Sequence, residues 1–136
     1  MYYNGTGIND SATIVAKASD NIANGAFKAV KLTATGIALA AAGEAAVGIL
    51  IPETESPRMD DAVTVQVKDI GLVMTGAAVD AGDLLAADAN GKLVKATEGQ
   101  FIIAQALEAA ADTDAVISAQ ICKAGYAPAA AVDDDI

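Results

Sequence analysis

Residues 79–96 read VDAGDLLAADANGKLVKA, and this stretch decides the fold that the sequence predicts. Two runs of strand length, residues 84–87 and 92–95, flank the dipeptide Asn90-Gly91. Because Asn-Gly readily adopts the positive φ angles of a type I′ turn, the pattern predicts a β-hairpin with a two-residue loop. The aspartates of the stretch are then expected to be turn and surface residues.

The same pattern occurs earlier in the chain, in the segment SDNIANGAFKAVKLTATGIALA that begins at Ser19. The matches and their offsets are Gly25 with Gly82 at 57 residues, Gly36 with Gly91 at 55, residues 47–50 with 103–106 at 56, and residues 61–67 with 114–120 at 53. Small drifts in offset are what changes in loop length produce between two copies of one unit. We therefore predict repeat-like halves at about residues 19–68 and 76–121.

Other segments have the lengths and patterns of short β-strands. Residues 63–68, VTVQVK, alternate valine with polar side chains, which is typical of a half-buried strand. Further strands are expected at residues 26–32, 70–74, 101–107 and 115–121. Their spacing predicts a mainly β protein, a small single-domain β-sandwich or β-barrel with internally repeated strand–turn–strand units. The alanine-rich residues 40–46 and 106–111 allow at most one or two short helices.

The ends of the chain differ from its middle. We divide the 136 residues into an N-terminal arm at 1–18, a β domain at 19–123 and a C-terminal tail at 124–136. Both ends are expected to be extended arms that become ordered on something outside the domain. Aromatic residues make up only 4% of the chain, so the core buries little area per residue. A marginally stable monomer that gains stability by association is expected.

The charge of the chain excludes several classes of partner. Acidic residues outnumber basic residues by 18 to 8, which gives a formal net charge of −10 and a pI near 4.1. A phosphate backbone or an anionic membrane needs a basic surface, so neither nucleic acid nor membrane is an expected partner. Residues 32–52 are long enough for a membrane span, but Glu44 and three glycines interrupt them.

Residue types suited to catalysis or metal binding are sparse. The chain has no histidine and one cysteine, Cys122, which we expect to be a small buried side chain. Residues 88–91 match part of a calcium loop, but Ala86 stands at the place of its first aspartate. Acidic pairs such as Asp60-Asp61 are more typical of solvated loops. We expect no enzyme, no catalytic residue, no metal site and no cofactor.

Three segments of the second half carry a resemblance to a known family. They are GAAVDAGDLL at residues 76–85, DANGKLV at residues 88–94 and IIAQALEAA at residues 102–110. They resemble the tailed-phage capsid cement, or head decoration, proteins, in which AGD begins a strand, D-x-x-G-K forms a hairpin and a G-x-A-L-E-A-A strand follows. Ala104 stands where the last motif usually has glycine. The resemblance extends over residues 19–121 when the first half is counted.

The resemblance implies a structural virion protein, made in the host cytoplasm, that binds the outer surface of the mature icosahedral capsid and stabilises it. Its partners would be the major capsid protein, whose neighbouring subunits it bridges, and itself, as a homotrimer. We assign capsid contact to Tyr2, Tyr3 and Ile8 of the N-terminal arm, because aromatic side chains are enriched at such interfaces.

Other functions stay open on the sequence alone. One is a virion surface module that recognises host glycans or a cell surface, although the Trp/Tyr platform expected for sugar stacking is missing. Another is a structural protein of the tail or baseplate. A lipoyl or biotinyl carrier domain would use Lys95, but Lys95 lies several residues beyond the tip of the predicted hairpin.

Overall fold

The computed structural model describes residues 11–54 and 56–129, and these residues form ten β-strands. The strands are β1 (Thr13–Lys17), β2 (Ala29–Thr33), β3 (Gly36–Leu39), β4 (Gly48–Ile51), β5 (Ala62–Gln66), β6 (Asp69–Met74), β7 (Leu84–Ala87), β8 (Leu93–Lys95), β9 (Phe101–Ala106) and β10 (Val116–Tyr126). The described residues contain no α-helix, and so none that could span a membrane. The mainly β prediction is confirmed.

The strands form two antiparallel sheets with the same internal order. The first sheet has the order β1-β5-β4-β2-β3, and the second has the order β6-β10-β9-β7-β8. Each strand of the first sheet therefore has a counterpart five strands later in the second. The structure thus contains two successive halves with one topology, and each half begins with a strand, β1 or β6, that lies before the predicted bounds of 19–68 and 76–121.

The strand registers give the equivalent residues of the two halves. Ala29 pairs with Ile49 in the first half, and Leu84 pairs with Gln105 in the second, which corresponds to offsets of 55 and 56. The outer pairs Thr13↔Gln66 and Ile70↔Gln120 give offsets of 57 and 54. The last offset was predicted as 53, so the sequence placed the final strand one residue out of register.

One glycine match of the predicted repeat is corrected by the hydrogen bonds. The amide of Phe27 donates to the carbonyl of Leu50 at 2.9 Å, and the amide of Gly82 donates to that of Ala106 at 2.7 Å. Phe27 and Gly82 also share positive φ angles, 61° and 93°. Gly82 is therefore equivalent to Phe27 and not to Gly25.

Each sheet curls until its two edge strands meet. In the first half, Ala18 forms a parallel bridge with Ile37, and in the second half Thr75 forms the same bridge with Leu93. The amide following each bridge donates to the opposite strand, Ser19 to Ile37 at 2.8 Å and Gly76 to Leu93 at 2.9 Å. Each half is thus a small, nearly closed barrel.

The barrels enclose two hydrophobic cores of small and branched side chains. One core belongs to the first half and includes Ile22, Ile37 and Leu50. The other fills the second half, and residues of the first half, Ala29 and Ile49 among them, join it. The second core therefore joins the two halves into one domain.

The chain ends take part in the sheets more than the sequence indicated. Residues 13–17, assigned to the N-terminal arm, form β1 because their alternating side chains pair with β5. Residues 124–126, assigned to the C-terminal tail, continue β10 after a register shift and pair with β9. Residues 1–10 and 130–136 of the predicted arms lie outside the described residues.

Neither of the two alanine-rich segments forms a helix. Residues 40–46 make a turn in which Gly43 has a φ of 68°, a conformation that ends any helical path. Ala106 ends β9, because pairing with β10 outweighs the weak preference of alanine for helix.

Replacement of Gly36 tests the closure of the first barrel. Gly36 has a φ of 140°, and an added Cβ would lie 2.2 Å from the carbonyl oxygen of Lys17. Gly36→Ala should therefore lower the free energy of unfolding by about 3 kcal/mol or more, measured by denaturant titration.

Gly99→Ala is the matched control. Gly99 also has a positive φ, 82°, but its added Cβ would meet no atom within 4 Å. Its cost should be backbone strain alone, about 1 kcal/mol. Equal losses for the two variants would show that close approach at the bridge does not limit closure.

Candidate functional site

The Asp88–Gly91 turn is a three-residue hairpin loop and not the predicted type I′ turn. The amide of Gly91 donates to the carbonyl of Asp88 at 3.1 Å, and the amide of Asp88 donates to that of Lys92 at 2.7 Å. Gly91 has a φ of 78°, whereas Asn90 is not among the residues with positive φ. This is a type I turn followed by a glycine bulge. The Asn-Gly pair predicted the hairpin correctly and its loop length wrongly.

The aspartates of this region bind the backbone of their own loops. The Asp88 carboxylate accepts the amides of Asn90 at 2.8 Å and Lys92 at 3.0 Å. The Asp83 carboxylate accepts the amide of Asp80 at 2.9 Å. They act as turn residues, as the sequence predicted. In the part of the chain that the structure describes, His, Cys, Asp and Glu do not gather into a metal-binding group of three.

The acidic pair Asp60-Asp61 has the same kind of role. Asp61 accepts the amide of Arg58 at 2.9 Å, and Asp60 lies 3.7 Å from the ammonium group of Lys17. At the equivalent corner of the second half, Asp114 forms an ion pair with Lys92 at 2.5 Å. The Lys92 side chain lowers the pKa of the Asp114 carboxyl, mainly through their hydrogen bond. Each pair holds the loop that enters the fifth strand of its half.

Glu44 and Gln100 occupy equivalent places in the two halves. Glu44 accepts the amide of Ala41 at 2.8 Å, as Gln100 accepts that of Thr97 at 2.9 Å. Glu44 also pairs with Lys31 at 2.9 Å. The Ala41 amide, and then the Lys31 ammonium, lower the pKa of the Glu44 carboxyl below its ordinary value. The local chemistry is again structural.

Exposed apolar side chains gather on the outer face of the second sheet. We call this group the outer patch, and its members are Ile70, Leu72, Leu107 and Val116, whose exposed fractions lie between 42% and 62%. Leu72 pairs with Ser118, whose carbonyl accepts the amide of Leu107, so the patch crosses three strands. Side chains two residues apart on a strand share a face, which adds Ile70 and Val116. This is a contiguous apolar surface.

The first sheet carries a smaller apolar surface at the equivalent positions, where only Val15, at 67% exposure, is a large exposed apolar side chain. The offsets place Thr13 opposite Ile70, Val15 opposite Leu72 and Ala62 opposite Val116. Both strand pairs carry the same ladder, so the backbone does not require the larger apolar side chains of the second half. Contiguous exposed apolar surface marks an interaction site. The comparison of halves assigns that site to the second sheet.

A second apolar surface is a groove of about 530 Å³ at the edge of the second half. It is lined by Leu84, Ala96, Thr97, Glu98, Ile102, Ala127, Pro128 and Ala129. Tyr126, at the end of β10, packs edge to face on Phe101 with ring centroids 5.4 Å apart. The C-terminal end of the described chain therefore forms one wall of the groove.

The predicted capsid-contact residues Tyr2, Tyr3 and Ile8 lie outside the described residues, so their assignment stays a prediction. Cys122 is exposed, and the prediction that it is buried was wrong. It follows the inward-facing Ile121 on β10, and alternation turns its side chain outward.

The outer patch has only a weak signal in the sequence. Its signal was the run IGLVM at residues 70–74, which is apolar on both faces of a strand at the edge of its sheet. A strand with only one face in the core needs polar residues on the other.

Comparisons with known proteins give a likeness among solved structures. No protein-family model matches the sequence, and no curated protein sequence matches it. Among solved structures, the fold is similar to that of the N base of the head fiber gp8.5 in bacteriophage phi29, with a TM-score of 0.66. The match covers 85% of this chain and 97% of that chain at 16% sequence identity. The two chains therefore share a fold over nearly their whole lengths.

The ionised state of Glu44 should stabilise the fold in a pH-dependent way. Because the folded pKa lies below the ordinary value of 4.5, the contribution is present above that value and is lost as the pH falls through the lowered pKa. Glu44→Gln should lower Tm at pH 7 by no more than about 4 °C. The difference from the unsubstituted protein should disappear at low pH.

Gln100→Ala serves as the control for this titration. It removes the equivalent bond to Thr97 without removing an ionisable group. Its effect on Tm should therefore stay constant across the same pH range in calorimetry. A Glu44→Gln penalty that did not change with pH would contradict the role given to the carboxylate.

Proposed function

We propose that this protein is a structural component of a bacteriophage head that binds the outer surface of the mature capsid and stabilises it. The observation that carries the proposal is the likeness, over 85% of the chain, to the N base of a phage head fiber. The decoration-protein resemblance of residues 76–110 supports the same location. The proposal assigns the protein no catalytic step.

Contact with the shell is assigned to the outer patch and to the N-terminal residues. Ile70 and Leu72 lie on β6, whose backbone edge is bonded by Phe27 and Gln66 of the first half, so a neighbouring surface meets their side chains on the outer face of the sheet. Desolvating large apolar side chains at the centre of an interface supplies most of its binding free energy. Tyr2, Tyr3 and Ile8 precede β1 in the sequence, and β1 begins at Thr13.

The charge of the protein suits this role. The major capsid protein is the proposed partner, and a net charge of −10 keeps unbound copies soluble and apart. Attachment must then come from apolar contact and local complementarity rather than from overall attraction. Copies are proposed to meet on the shell as a homotrimer, where each one bridges neighbouring capsid subunits.

Stabilisation follows from linkage. A protein that binds the mature lattice, but not the immature or dissociated subunits, adds its binding free energy to the stability of that lattice. The added amount is RT ln(1 + [L]/Kd) for each site, about 2.7 kcal/mol when the concentration is a hundredfold above Kd. Many sites on one shell would multiply this effect without any change in the capsid subunit itself.

Co-sedimentation with capsid shells tests the proposal. Expanded shells assembled from the major capsid protein of the same genome should bind the intact protein, and unexpanded shells should not. Leu72→Glu should weaken binding about tenfold or more, because it places a charge in a desolvated contact. Removal of residues 1–10 should also weaken binding and leave β1 intact.

Met59→Glu is the matched control for the added charge. Met59 is as exposed as the patch residues, but it lies on the loop before β5, in the first half. Its binding should equal that of the intact protein, and both variants should melt as it does. Failure of the intact protein to bind expanded shells would refute the head location.

A further inference from the structure

The two halves of this chain meet through a face of the first half that is fully covered. We call it the covered face, and its residues are Ala29, Ala40, Ala46 and Ile49, which are between 0% and 7% exposed. Backbone groups of the second half bond directly to this region. The amide of Ala29 donates to the carbonyl of Gly91 at 2.7 Å, and the amide of Gly43 donates to that of Ala87 at 2.9 Å.

The second half carries the equivalent face. The register offsets of 55 and 56 place Leu84 at the position of Ala29 and Gln105 at that of Ile49. Ala96 takes the place of Ala40, since its amide donates to Leu84 as that of Ala40 donates to Ala29. Leu84, Ala96 and Ile102, the equivalent of Ala46, all line the groove. The groove is therefore the same kind of face without a second half upon it.

The C-terminal segment covers one end of this face. The amide of Gly99 donates to the carbonyl of Ala127 at 2.9 Å, just as the amide of Gly43 donates to Ala87 in the first half. At the other end, Leu84 stays 42% exposed although its equivalent, Ala29, is fully buried. The chain thus fills part of the groove and leaves the Leu84 end open.

The first half carries the complementary face. The second half covers the first half with Ala87 and the turn at residues 88–91. In the first half, the strand registers place Leu32 and the turn at residues 33–36 at the equivalent positions. Leu32 is 57% exposed, and no partner within the described residues explains a large apolar side chain there. We call Leu32 and residues 33–36 the hairpin face.

We propose that the groove of one copy receives the hairpin face of a second copy of this chain, head to tail. At the open Leu84 end the contact repeats, between molecules, the contact of Ala29 with Gly91 that joins the two halves within one molecule, while Ala127 keeps the place that Ala87 takes there. The equivalence of the two halves favours this occupant, because the hairpin face is the first-half counterpart of the surface that covers Ala29 within the molecule. The contact buries Leu84, which is 42% exposed in the single chain, against the turn at residues 33–36 of the second copy.

A head-to-tail contact uses two different surfaces, so every copy keeps one surface of each kind available. Such heterologous contacts close into a ring when the rotation between copies permits, and otherwise extend as a filament. The inference deepens the self-association part of the proposed function by naming its surfaces. It rests on the duplication of the fold and not on shell binding, so either can fail without the other.

Site-directed cross-linking tests the contact. In the equivalent pair within the molecule, Ala29 and Gly91 are in direct contact, so Leu84 and Thr35 should be close between copies. In a Cys122→Ala background, a mixture of Thr35→Cys and Leu84→Cys should give a covalent dimer with a short bismaleimide. Each variant alone should give none, because like surfaces do not meet in this arrangement.

Sedimentation supplies the second measurement. The intact protein should associate with rising concentration up to about 1 mM, and Leu84→Glu should weaken association at least tenfold. Met59→Glu, at an exposed methionine outside the groove and the hairpin face, should leave it unchanged. A monomer at all concentrations, or cross-linking of like variants, would overturn the proposal. So would a dimer that forms only after residues 130–136 are removed, because the chain's own C-terminus would then be the occupant.

Discussion

Direct backbone contact between the two halves is the constraint on which the rest of this structure depends. Peptide groups of the two barrels bond to each other at Ala29, Gly43, Ala87 and Gly91. Backbones can approach this closely only where side chains are small. A Cβ on Gly91 would lie 3.1 Å from a methyl carbon of Leu39 and 3.3 Å from the carbonyl oxygen of Ala29. The abundance of alanine is therefore a requirement of the interface between halves and not only a poor core composition.

The sequence predicted those parts of the fold that depend on neighbouring residues. Alternation within residues 63–68 predicted β5, and the paired glycine turns predicted the repeat. It failed where distant residues decide. Residues 13–17 look like part of an arm until β5, about fifty residues later, supplies their partners. Phe27 adopts a positive φ of 61° at the position where the second half has Gly82. A phenylalanine side chain does not predict this conformation, since positive φ is uncommon for bulky residues.

The outer patch could not be predicted from the sequence for a related reason. Aspartates and glycines are also common in metal and phosphate sites, and so they suggested a binding loop. Here the carboxylates of Asp83 and Asp88 accept backbone amides within turns. The outer patch consists of ordinary strand residues, and only the sheet order shows that Ile70, Leu72 and Leu107 share one exposed face. Comparison of the halves shows that the fold does not require large apolar side chains at Ile70 and Val116, since Thr13 and Ala62 stand at the equivalent positions.

Duplication also explains how one small fold can present different surfaces. The two halves keep the same hydrogen-bonded frame, so substitutions that leave that frame intact alter outward contacts at little cost in stability. The first half presents its hairpin face and the second presents the outer patch and the groove.

A protein with complementary faces at its two ends can add copies without limit and form open filaments. Two features oppose it. The C-terminal segment narrows the groove at Ala127, and a net charge of −10 makes each added copy repel those already present. Self-association that is weak in solution becomes effective where a surface gathers copies at fixed spacing, because the local concentration then replaces affinity. A capsid lattice would provide that spacing, so the arrangement suits the proposed role of a protein that assembles on its target rather than before reaching it.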